Sequence, residues 1–250
     1  AQQRGLKTIA WAQGIGPLNK PFTRWLTQQV LLGCNAISVR DNASAQLLRN
    51  WQLEPIIAPD PVWALQSETP PPLPDTEQPM VAVILRSHPL LTTGRLQTLI
   101  QALQDFQAKS NSLILLIPFQ PAQDQAIAEQ IADQLSPEHL IMSIANPQQL
   151  KGLFRAVKMA IGMRLHSLIM AAAEGCPCFA LSYDPKVSQL MSELNLPGYE
   201  LQNLPDESAI ITTAWLAQLE QQQAIASLKV QSLVDRALIH QQLLRETIID

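Results

Sequence analysis

Short apolar runs alternate with amphipathic stretches along most of the 250-residue chain. In the first quarter, three apolar runs of strand length are separated by two stretches with helical periodicity, and the connections between them are short. Strands and helices that alternate in this way are typical of a parallel sheet covered by helices. The predicted strands are 7–12, 36–39 and 55–58, and the predicted helices are 21–32 and 44–51.

A proline-rich segment then interrupts the alternation. Five prolines lie between Glu68 and Pro79, and proline can neither continue a helix nor donate to a strand ladder. We therefore predict an extended linker over 68–79. It separates a first domain, 1–67, from a second domain, 80–205.

The second domain is predicted to be a complete doubly wound α/β domain, because five strands alternate with five helices. The first domain is predicted to be partial, since its three strands would make a marginal sheet. Two more helical patterns, 206–222 and 224–248, are expected to pack on the second domain and form a C-terminal region, 206–250. The predicted strands are 80–85, 112–117, 140–144, 157–161 and 178–182, and the helices are 94–109, 122–135, 147–155, 167–174 and 186–194.

The composition and the short apolar runs argue against a nucleic-acid partner and against a transmembrane segment. Charged residues make up 15% of the chain and the net charge is −4, which argues against nucleic-acid binding because that affinity comes from a basic surface. No apolar run approaches the roughly 18 residues that a membrane-spanning helix needs. We therefore expect neither a nucleic-acid partner nor a transmembrane segment.

The cysteines indicate neither a disulfide framework nor a metal site. The three cysteines are Cys34, Cys176 and Cys178, and an odd number that includes a Cys-x-Cys pair fits disulfides poorly. The four histidines are scattered rather than set at zinc-ligand spacing. We predict no metal, and small buried thiols in a reducing compartment.

Two polar residues follow the predicted strand 157–161, just before a helix. Arg164 and His166 alternate with a leucine, so in an extended backbone they point the same way. Ser167 can cap the helix, whose N-terminus offers free N–H groups to an anion. Arginine and histidine there suit oxyanion binding and a proton transfer. The alternatives are an arginine paired with a carboxylate and a structural histidine.

Further cations stand at neighbouring strand ends. Arg86 ends the first strand of the second domain, and Lys186 follows the last predicted strand. The alternative for Lys186 is a solvated surface lysine. Because ligands bind at the carboxyl ends of strands in doubly wound sheets, we expect both to share a cleft with Arg164 and His166.

The first domain offers two candidates of its own. Arg40 ends the strand 36–39 and can reach the cleft between the domains, and Asp41 can cap the helix that follows. Asp60 follows the third strand as a turn residue or an acceptor-binding residue. The glycines of 14–18 lack the third glycine of a dinucleotide-binding fingerprint, so we predict no nucleotide site there.

These candidates favour a doubly anionic substrate. The strand ends carry cations and one histidine, without an obvious catalytic pair of carboxylates. Gly-x-Ser-x-Gly, P-loop and His-Glu-x-x-His motifs are absent from the sequence. A substrate with a phosphate and a carboxylate would suit such a cluster of cations.

Two blocks of sequence resemble the polysaccharide pyruvyl transferase family, and specifically its branch that pyruvylates cell-wall glycans. They are 162–173, which contains Arg-Leu-His, and 182–187, Ser-Tyr-Asp-Pro-Lys-Val. These two blocks are specific, whereas the shorter ones alone would be weak. The shorter matching blocks are 14–18, 39–44, 58–61 and 83–86, and all six follow the family's order.

The resemblance implies an α/β fold with two Rossmann-like domains, similar to GT-B glycosyltransferases, with the active site between the domains. It also implies transfer of pyruvate from phosphoenolpyruvate onto a sugar as a ketal, with release of phosphate and without a metal or other cofactor. Carried over by motif, the catalytic residues are Arg164, His166 and Lys186. The substrate-binding residues are Arg86, Arg40, Ser167 and Asp60.

One departure from the family concerns the beginning of the chain. Family members begin with a glycine-rich strand-turn-helix segment that contains an Asn and a Gly-Asp-Glu, and this sequence starts after it. We therefore expect a truncated first domain without that segment's acceptor-binding residues. The expected acceptor is a sugar or lipid-linked glycan, and the expected location is cytoplasmic, with contact at the inner face of the membrane left open.

Two other functions stay open at this stage. A GT-B glycosyltransferase that uses a nucleotide-sugar would need a carboxylate for the ribose, for which Asp184 and Glu193 are candidates. A non-catalytic glycan-binding fragment is the other alternative.

Overall fold

A computed structural model describes residues 1–16 and 18–249. Pro17, in the predicted 14–18 motif, and Asp250, the last residue of the predicted C-terminal region, lie outside the described residues. The chain divides into two compact units, and each is described by itself. The first unit comprises residues 1–65 and 228–250, and the second comprises residues 66–227.

The first unit is built on a three-stranded parallel sheet, as the alternating pattern predicts. Its strands follow in the order β1 (Ile9–Gln13), β2 (Ala36–Val39) and β3 (Ile56–Ile57). The helix α1 (Pro21–Leu32) joins the first two strands, and α2 (Asn42–Arg49) joins the last two. The predicted cap of α2 is confirmed, because the carboxylate of Asp41 accepts the N–H of Ser44 at 2.7 Å.

The second unit is built on a six-stranded sheet in which every pairing is parallel. The strands lie in the order 6-5-4-7-8-9. Successive strands are therefore added toward one edge of the sheet from the fourth to the sixth, and toward the other edge from the seventh to the ninth. Such a switch point opens a crevice at the carboxyl ends of the strands. The strands are β4 (Met80–Ile84), β5 (Leu113–Leu116), β6 (His139–Ile141), β7 (Met159–Gly162), β8 (Cys178–Ser182) and β9 (Gly198–Glu200).

The edge strand β9 was not predicted. It has three residues, all of them half-buried, and its Gly-Tyr-Glu sequence contains no apolar run. Gly198 allows it to pair there, because a Cβ at this position would lie 2.2 Å from the carbonyl oxygen of Ala180 in β8. Pairing at a sheet edge here depends on close backbone approach and not on an alternating pattern.

The helices of the second unit cover both faces of its sheet, as in other doubly wound domains. On one side the core includes Phe106, whose ring meets that of Trp215 edge-on at 6.1 Å. The helices are α3 (Thr93–Ser110), α4 (Pro121–Ala132), α5 (Pro147–Leu153), α6 (Leu165–Ala173), α7 (Pro185–Leu194) and α8 (Ser208–Gln221).

The start of the proline-rich segment, for which the sequence predicts an extended linker, packs on the second unit. The N–H of Glu68 donates to the carbonyl of Gln148 at 3.0 Å, and its carboxylate accepts from the amide of Asn146 at 3.0 Å. Gly152 in α5 lies against the same backbone, because a Cβ there would be 1.7 Å from the Glu68 carbonyl oxygen. Residues from Gln66 onward therefore belong to the second unit.

Replacing Gly152 by alanine is expected to displace this segment. Alanine favours a helix over glycine by about 1 kcal/mol, so any destabilisation must come from the clash with Glu68. We expect a lower melting temperature and faster proteolytic cleavage within 66–79. The matched control is Gly94→Ala in α3, where a Cβ would meet nothing within 4 Å. Equal melting temperatures for the two variants would contradict the close packing at Gly152.

The C-terminal helices differ from the sequence prediction in their partner. The predicted helix 224–248 is two helices, α9 (Ser227–Ala237) and α10 (Ile239–Ile249), and from Leu228 onward they belong to the first unit. The indole N–H of Trp11 donates to the carbonyl of His240 at 2.8 Å, and Nε2 of His240 lies 3.0 Å from the carbonyl of Pro59. These contacts attach α10 to β1 and to the loop after β3, which amphipathic periodicity alone does not specify.

The buried imidazole of His240 is expected to make the stability of the first unit dependent on pH. Burial lowers the pKa of His240 below its ordinary value, and Nδ1 is buried without a hydrogen-bond partner among the described residues. The unfolded chain therefore takes up the proton first, so the free energy of unfolding should fall as pH drops below about 6.5. Urea unfolding at pH 7.5 and 5.5, for wild type and for His240→Gln, measures this. The variant should show the weaker dependence, and equal slopes would contradict the prediction.

Candidate functional site

Four loops meet at the carboxyl edge of the second sheet, beside the switch point between β4 and β7. Each loop contributes at least one polar side chain that contacts a side chain from another loop. Short parallel strands bring these loops together although they are far apart in sequence. The loops after β4, β7 and β8 supply Arg86, Arg164 and Tyr183. The loop after β5 supplies Gln120 and leads into the first turn of α4, which supplies Gln123 and Asp124.

Arg164 is held by a buried carboxylate. Its Nη2 lies 2.6 Å from Oδ1 of Asp124 and its Nε lies 3.1 Å from Oδ2, which is a two-point pairing. Asp124 is fully buried in the first turn of α4, and its Oδ2 also accepts the backbone N–H of Gln120 at 2.8 Å. The charge of Arg164 is therefore balanced within the protein, which is one of the alternatives that the sequence left open.

A glutamine joins the two predicted arginines. Oε1 of Gln123 accepts from Nη2 of Arg164 at 3.2 Å and from Nη2 of Arg86 at 3.3 Å. A second amide, Oε1 of Gln120, accepts from Nη1 of Arg164 at 3.2 Å. Arg86 and Arg164 thus converge on one place, as the sequence predicts.

Arg86 carries the unbalanced charge of this cluster. Its Nη1 donates to the hydroxyl of Tyr183 at 2.9 Å, and its guanidinium lies 5.1 Å from the centre of that ring. Its Nε is buried and has no hydrogen-bond partner among the residues that the structure describes. Within residues 1–16 and 18–249, Arg86 forms no ion pair with a carboxylate. A positive charge therefore stays available for an anion.

A cavity of about 350 Å³ adjoins this cluster. Arg164 and His166 face it together with Tyr183, so the Arg-Leu-His block lines the cavity. His166 is the second residue of α6 and is half-buried. The other lining residues are Phe119, Gln120 and Leu165.

Two of the predicted residues are placed differently from the expectation. Ser167 does not cap α6, because the helix begins at Leu165 with Arg164 in the cap position. The buried hydroxyl of Ser167 instead donates to the carbonyl of Arg164 at 2.7 Å and so supports that turn. Lys186 is exposed in the first turn of α7 and is not among the residues that line the cavity.

The two candidates of the first unit contact each other. Nη1 of Arg40 lies 2.6 Å from Oδ2 of Asp60, and Oδ1 of Asp60 accepts the N–H of Val62 at 3.1 Å. The pairing fixes the loop after β3 at the carboxyl edge of the first sheet. Substrate binding by Arg40 and Asp60 stays a prediction.

Asp124, Gln123 and Tyr183 belong to the site but are not among the residues predicted from the sequence. The carboxyl end of β5 carried a signal that could have found the first two, since a glutamine and an aspartate open the helix that follows this buried strand. Tyr183 lies inside the block 182–187, in which Lys186 is the predicted site residue. Each of the three acts through a partner from another loop, which no local pattern reveals.

Metal ligation and thiol chemistry find little support at the described residues. They contain no group of three or more histidine, cysteine or acidic side chains arranged to hold a metal ion. Cys176 and Cys178 are buried, as predicted, and burial raises the pKa of the Cys176 thiol to about 12. That thiol therefore stays protonated at neutral pH. No described helix is long and apolar enough to cross a membrane.

Several solved structures share the fold of this chain. A UDP-GlcNAc 2-epimerase from Methanocaldococcus jannaschii matches with a TM-score of 0.67 at 9% identity, over 98% of this chain and 72% of that one. A glycosyltransferase from Rickettsia africae matches with a TM-score of 0.55 at 12% identity, over 91% of this chain and 66% of that one. An Anabaena protein in complex with UDP and glucose matches with a TM-score of 0.58 at 12% identity, over 96% of this chain and 71% of that one.

At such low identity these likenesses show the fold alone, which is the α/β, Rossmann-like fold of GT-B proteins, as predicted. The chain spans only 52% of the matched chain in the GtfA/B complex.

The sequence comparisons point to one family. No protein of curated function matches the chain. The sequence profile of the polysaccharide pyruvyl transferase family matches residues 1–185, about three quarters of the chain. This stretch includes both arginines of the cavity cluster, the Arg-Leu-His block and Tyr183. The chain therefore belongs to the polysaccharide pyruvyl transferase family, a family of transferases.

Proposed function

We propose that the protein transfers a pyruvyl group from phosphoenolpyruvate to two hydroxyls of a sugar, forming a ketal and releasing phosphate. The observation that carries the proposal is the cavity at the carboxyl edge of the second sheet. It is lined by Arg164 and His166, and its lining residue Tyr183 contacts the unbalanced Arg86. Family membership supports the reaction class, and the arrangement of charges supports the donor.

The donor carries a phosphate and a carboxylate, and the two arginines are suited to different extents to bind them. A guanidinium has five N–H groups. Four hydrogen bonds to protein atoms occupy Arg164, so one of its N–H groups is left for a ligand. Arg86 uses two of its five N–H groups in hydrogen bonds to the protein, and its charge is not balanced by a carboxylate. We therefore assign the main electrostatic attraction for the donor to Arg86 and a fixed, directional hydrogen bond to Arg164. The N-terminus of α6 adds a favourable dipole.

His166 supplies the proton chemistry in this proposal. The methylene carbon of phosphoenolpyruvate gains a proton, and the oxygen of one sugar hydroxyl bonds to the adjacent carbon and loses its own proton. A second hydroxyl then bonds to the same carbon as the C–O bond to phosphate breaks, and its proton leaves with the products. The imidazole of His166 lines the cavity, and a histidine side chain can act as a general acid or base, so it can serve in such a transfer. We propose no cofactor for these steps.

A nucleotide-sugar glycosyltransferase is the second candidate, because one structural neighbour was solved with UDP and glucose. One oxygen of each carboxylate that the sequence offers for a ribose accepts a hydrogen bond within the protein. Oδ1 of Asp184 accepts the N–H of Lys186 at 2.8 Å and caps α7, and Oε1 of Glu193 accepts from Gln189 at 2.7 Å. Family membership favours the pyruvyl transferase.

The acceptor and the cellular setting complete the proposal. We propose a cell-wall or surface polysaccharide precursor, either a free sugar or a lipid-linked glycan, as the acceptor. A lipid-linked acceptor would bring a cytoplasmic enzyme to the inner face of the membrane. Arg40, Ser167 and Asp60 remain proposed substrate contacts, and Lys186 remains a proposed catalytic residue.

The test is a reaction of the whole chain with phosphoenolpyruvate and a lipid-linked glycan. Released phosphate is measured together with the mass of the glycan, which should increase by one pyruvate less one water. A parallel reaction contains a nucleotide-sugar in place of phosphoenolpyruvate. Glycan modified only in the second reaction would support the glycosyltransferase, and glycan bound but unmodified in both would support a binding protein.

A further inference from the structure

Tyr183 is held at the cavity by two neighbours from the loop after β4. Its ring lies 5.1 Å from the guanidinium of Arg86 and 4.6 Å from the ring of His88, measured to the ring centres. Nδ1 of His88 in turn accepts the backbone N–H of Leu90 at 3.2 Å, which fixes the imidazole. The phenol therefore has a fixed position at the edge of the cavity that it lines.

The hydroxyl of Tyr183 has a defined direction as a donor. Its oxygen accepts Nη1 of Arg86 at 2.9 Å, and a guanidinium contains donors only. The phenolic proton must therefore point away from Arg86. In the part of the chain that the structure describes, no protein atom accepts this proton. A polar group with an unused donor, polarised by a cation, is suited to bind an anionic oxygen.

We propose that Tyr183 is a substrate-binding residue whose O–H donates to an anionic oxygen of the donor, on its phosphate or its carboxylate. This inference rests on the proposed function, because it assigns a contact within the same cavity. Arg86 and Tyr183 then act as one unit, in which Arg86 supplies charge and orients the phenol, and Tyr183 supplies the directed hydrogen bond. Arg164 approaches the same ligand from the loop after β7.

The chain offers a matched control for this proposal. It contains two tyrosines, and the other, Tyr199, lies in β9, where its ring packs 5.4 Å from that of Phe179. Tyr183→Phe and Tyr199→Phe each remove one phenolic oxygen and keep the ring. Only the first variant should change the binding of phosphoenolpyruvate.

The experiment is a calorimetric titration of wild type and both variants with phosphoenolpyruvate. A hydrogen bond to a charged group corresponds to about a ten- to hundredfold change in affinity, and we expect Tyr183→Phe to bind more weakly by this factor. Tyr199→Phe should bind as wild type does. Titrations with inorganic phosphate and with pyruvate identify the oxygen, because only the anion that Tyr183 contacts should lose affinity in Tyr183→Phe.

A spectroscopic arm tests the contact in the unaltered protein. Phosphoenolpyruvate should perturb the ultraviolet absorption of a tyrosine in wild type and in Tyr199→Phe, and this signal should disappear in Tyr183→Phe. If wild type binds phosphoenolpyruvate and Tyr183→Phe binds it with the same affinity, the inference is overturned and the proposed function stands. Wild type that fails to bind phosphoenolpyruvate would overturn the proposed function itself.

Discussion

Asp124→Ala is expected to destabilise the second unit by about 3–5 kcal/mol, because it leaves the mostly buried Arg164 without its carboxylate. The same change should weaken donor binding, since only the amide oxygens of Gln120 and Gln123 then hold the guanidinium at the cavity. Urea unfolding measures the first effect and calorimetry the second. The matched control is Glu129→Ala on the same helix, where an exposed carboxylate is removed and a change within about 0.5 kcal/mol is expected.

A double variant separates the cost of an unpaired charge from the value of the pair. Replacing a buried ion pair by apolar side chains is often neutral, so Asp124→Leu combined with Arg164→Met should recover much of the stability. It should not recover donor binding. If Asp124→Ala alone were as stable as the Glu129→Ala control, Asp124 would not be the residue that holds Arg164.

His166→Ala is expected to lower the turnover of pyruvyl transfer by about 10²–10⁴ and to change phosphoenolpyruvate affinity much less. A proton-transfer group acts mainly in the transition state, whereas an anion-binding group also acts in the ground state. Arg86→Gln should therefore weaken donor binding as well as turnover. Steady-state kinetics together with calorimetry separate the two effects.

The control for His166 is His139→Ala, which removes an imidazole from β6, outside the residues that line the cavity. Its turnover should match that of wild type. Full turnover in His166→Ala, with only a raised Michaelis constant, would make His166 a binding residue. His88, whose ring lies 4.6 Å from that of Tyr183, would then be the next proton donor to test.

The alternation of apolar runs was sufficient to predict the α/β class and most strand positions, because buried parallel strands are continuous apolar runs. It was also sufficient to place Arg86, Arg164 and His166 at one sheet edge, since strand ends meet there. It could not predict β9, which pairs through the close approach of Gly198.

Long-range partners account for the remaining differences. Arg164 and Asp124 are 40 residues apart and meet only because β5 and β7 lie on either side of β4. The buried His240 links the C-terminal helices to the loop after β3, 181 residues away. A sequence pattern reports which face of a helix is apolar, but it does not report which sheet that face will cover.

Binding of phosphoenolpyruvate at the carboxyl edge of the second sheet is tested most directly by one competition titration. Wild type and Arg86→Gln are titrated with phosphoenolpyruvate by calorimetry, alone and in the presence of UDP. We predict saturable binding by wild type that UDP does not displace, and affinity at least tenfold weaker in Arg86→Gln, because this change removes the cluster's only unbalanced charge in the described structure. Displacement by UDP, or equal affinity in the two proteins, would contradict a donor site built on Arg86.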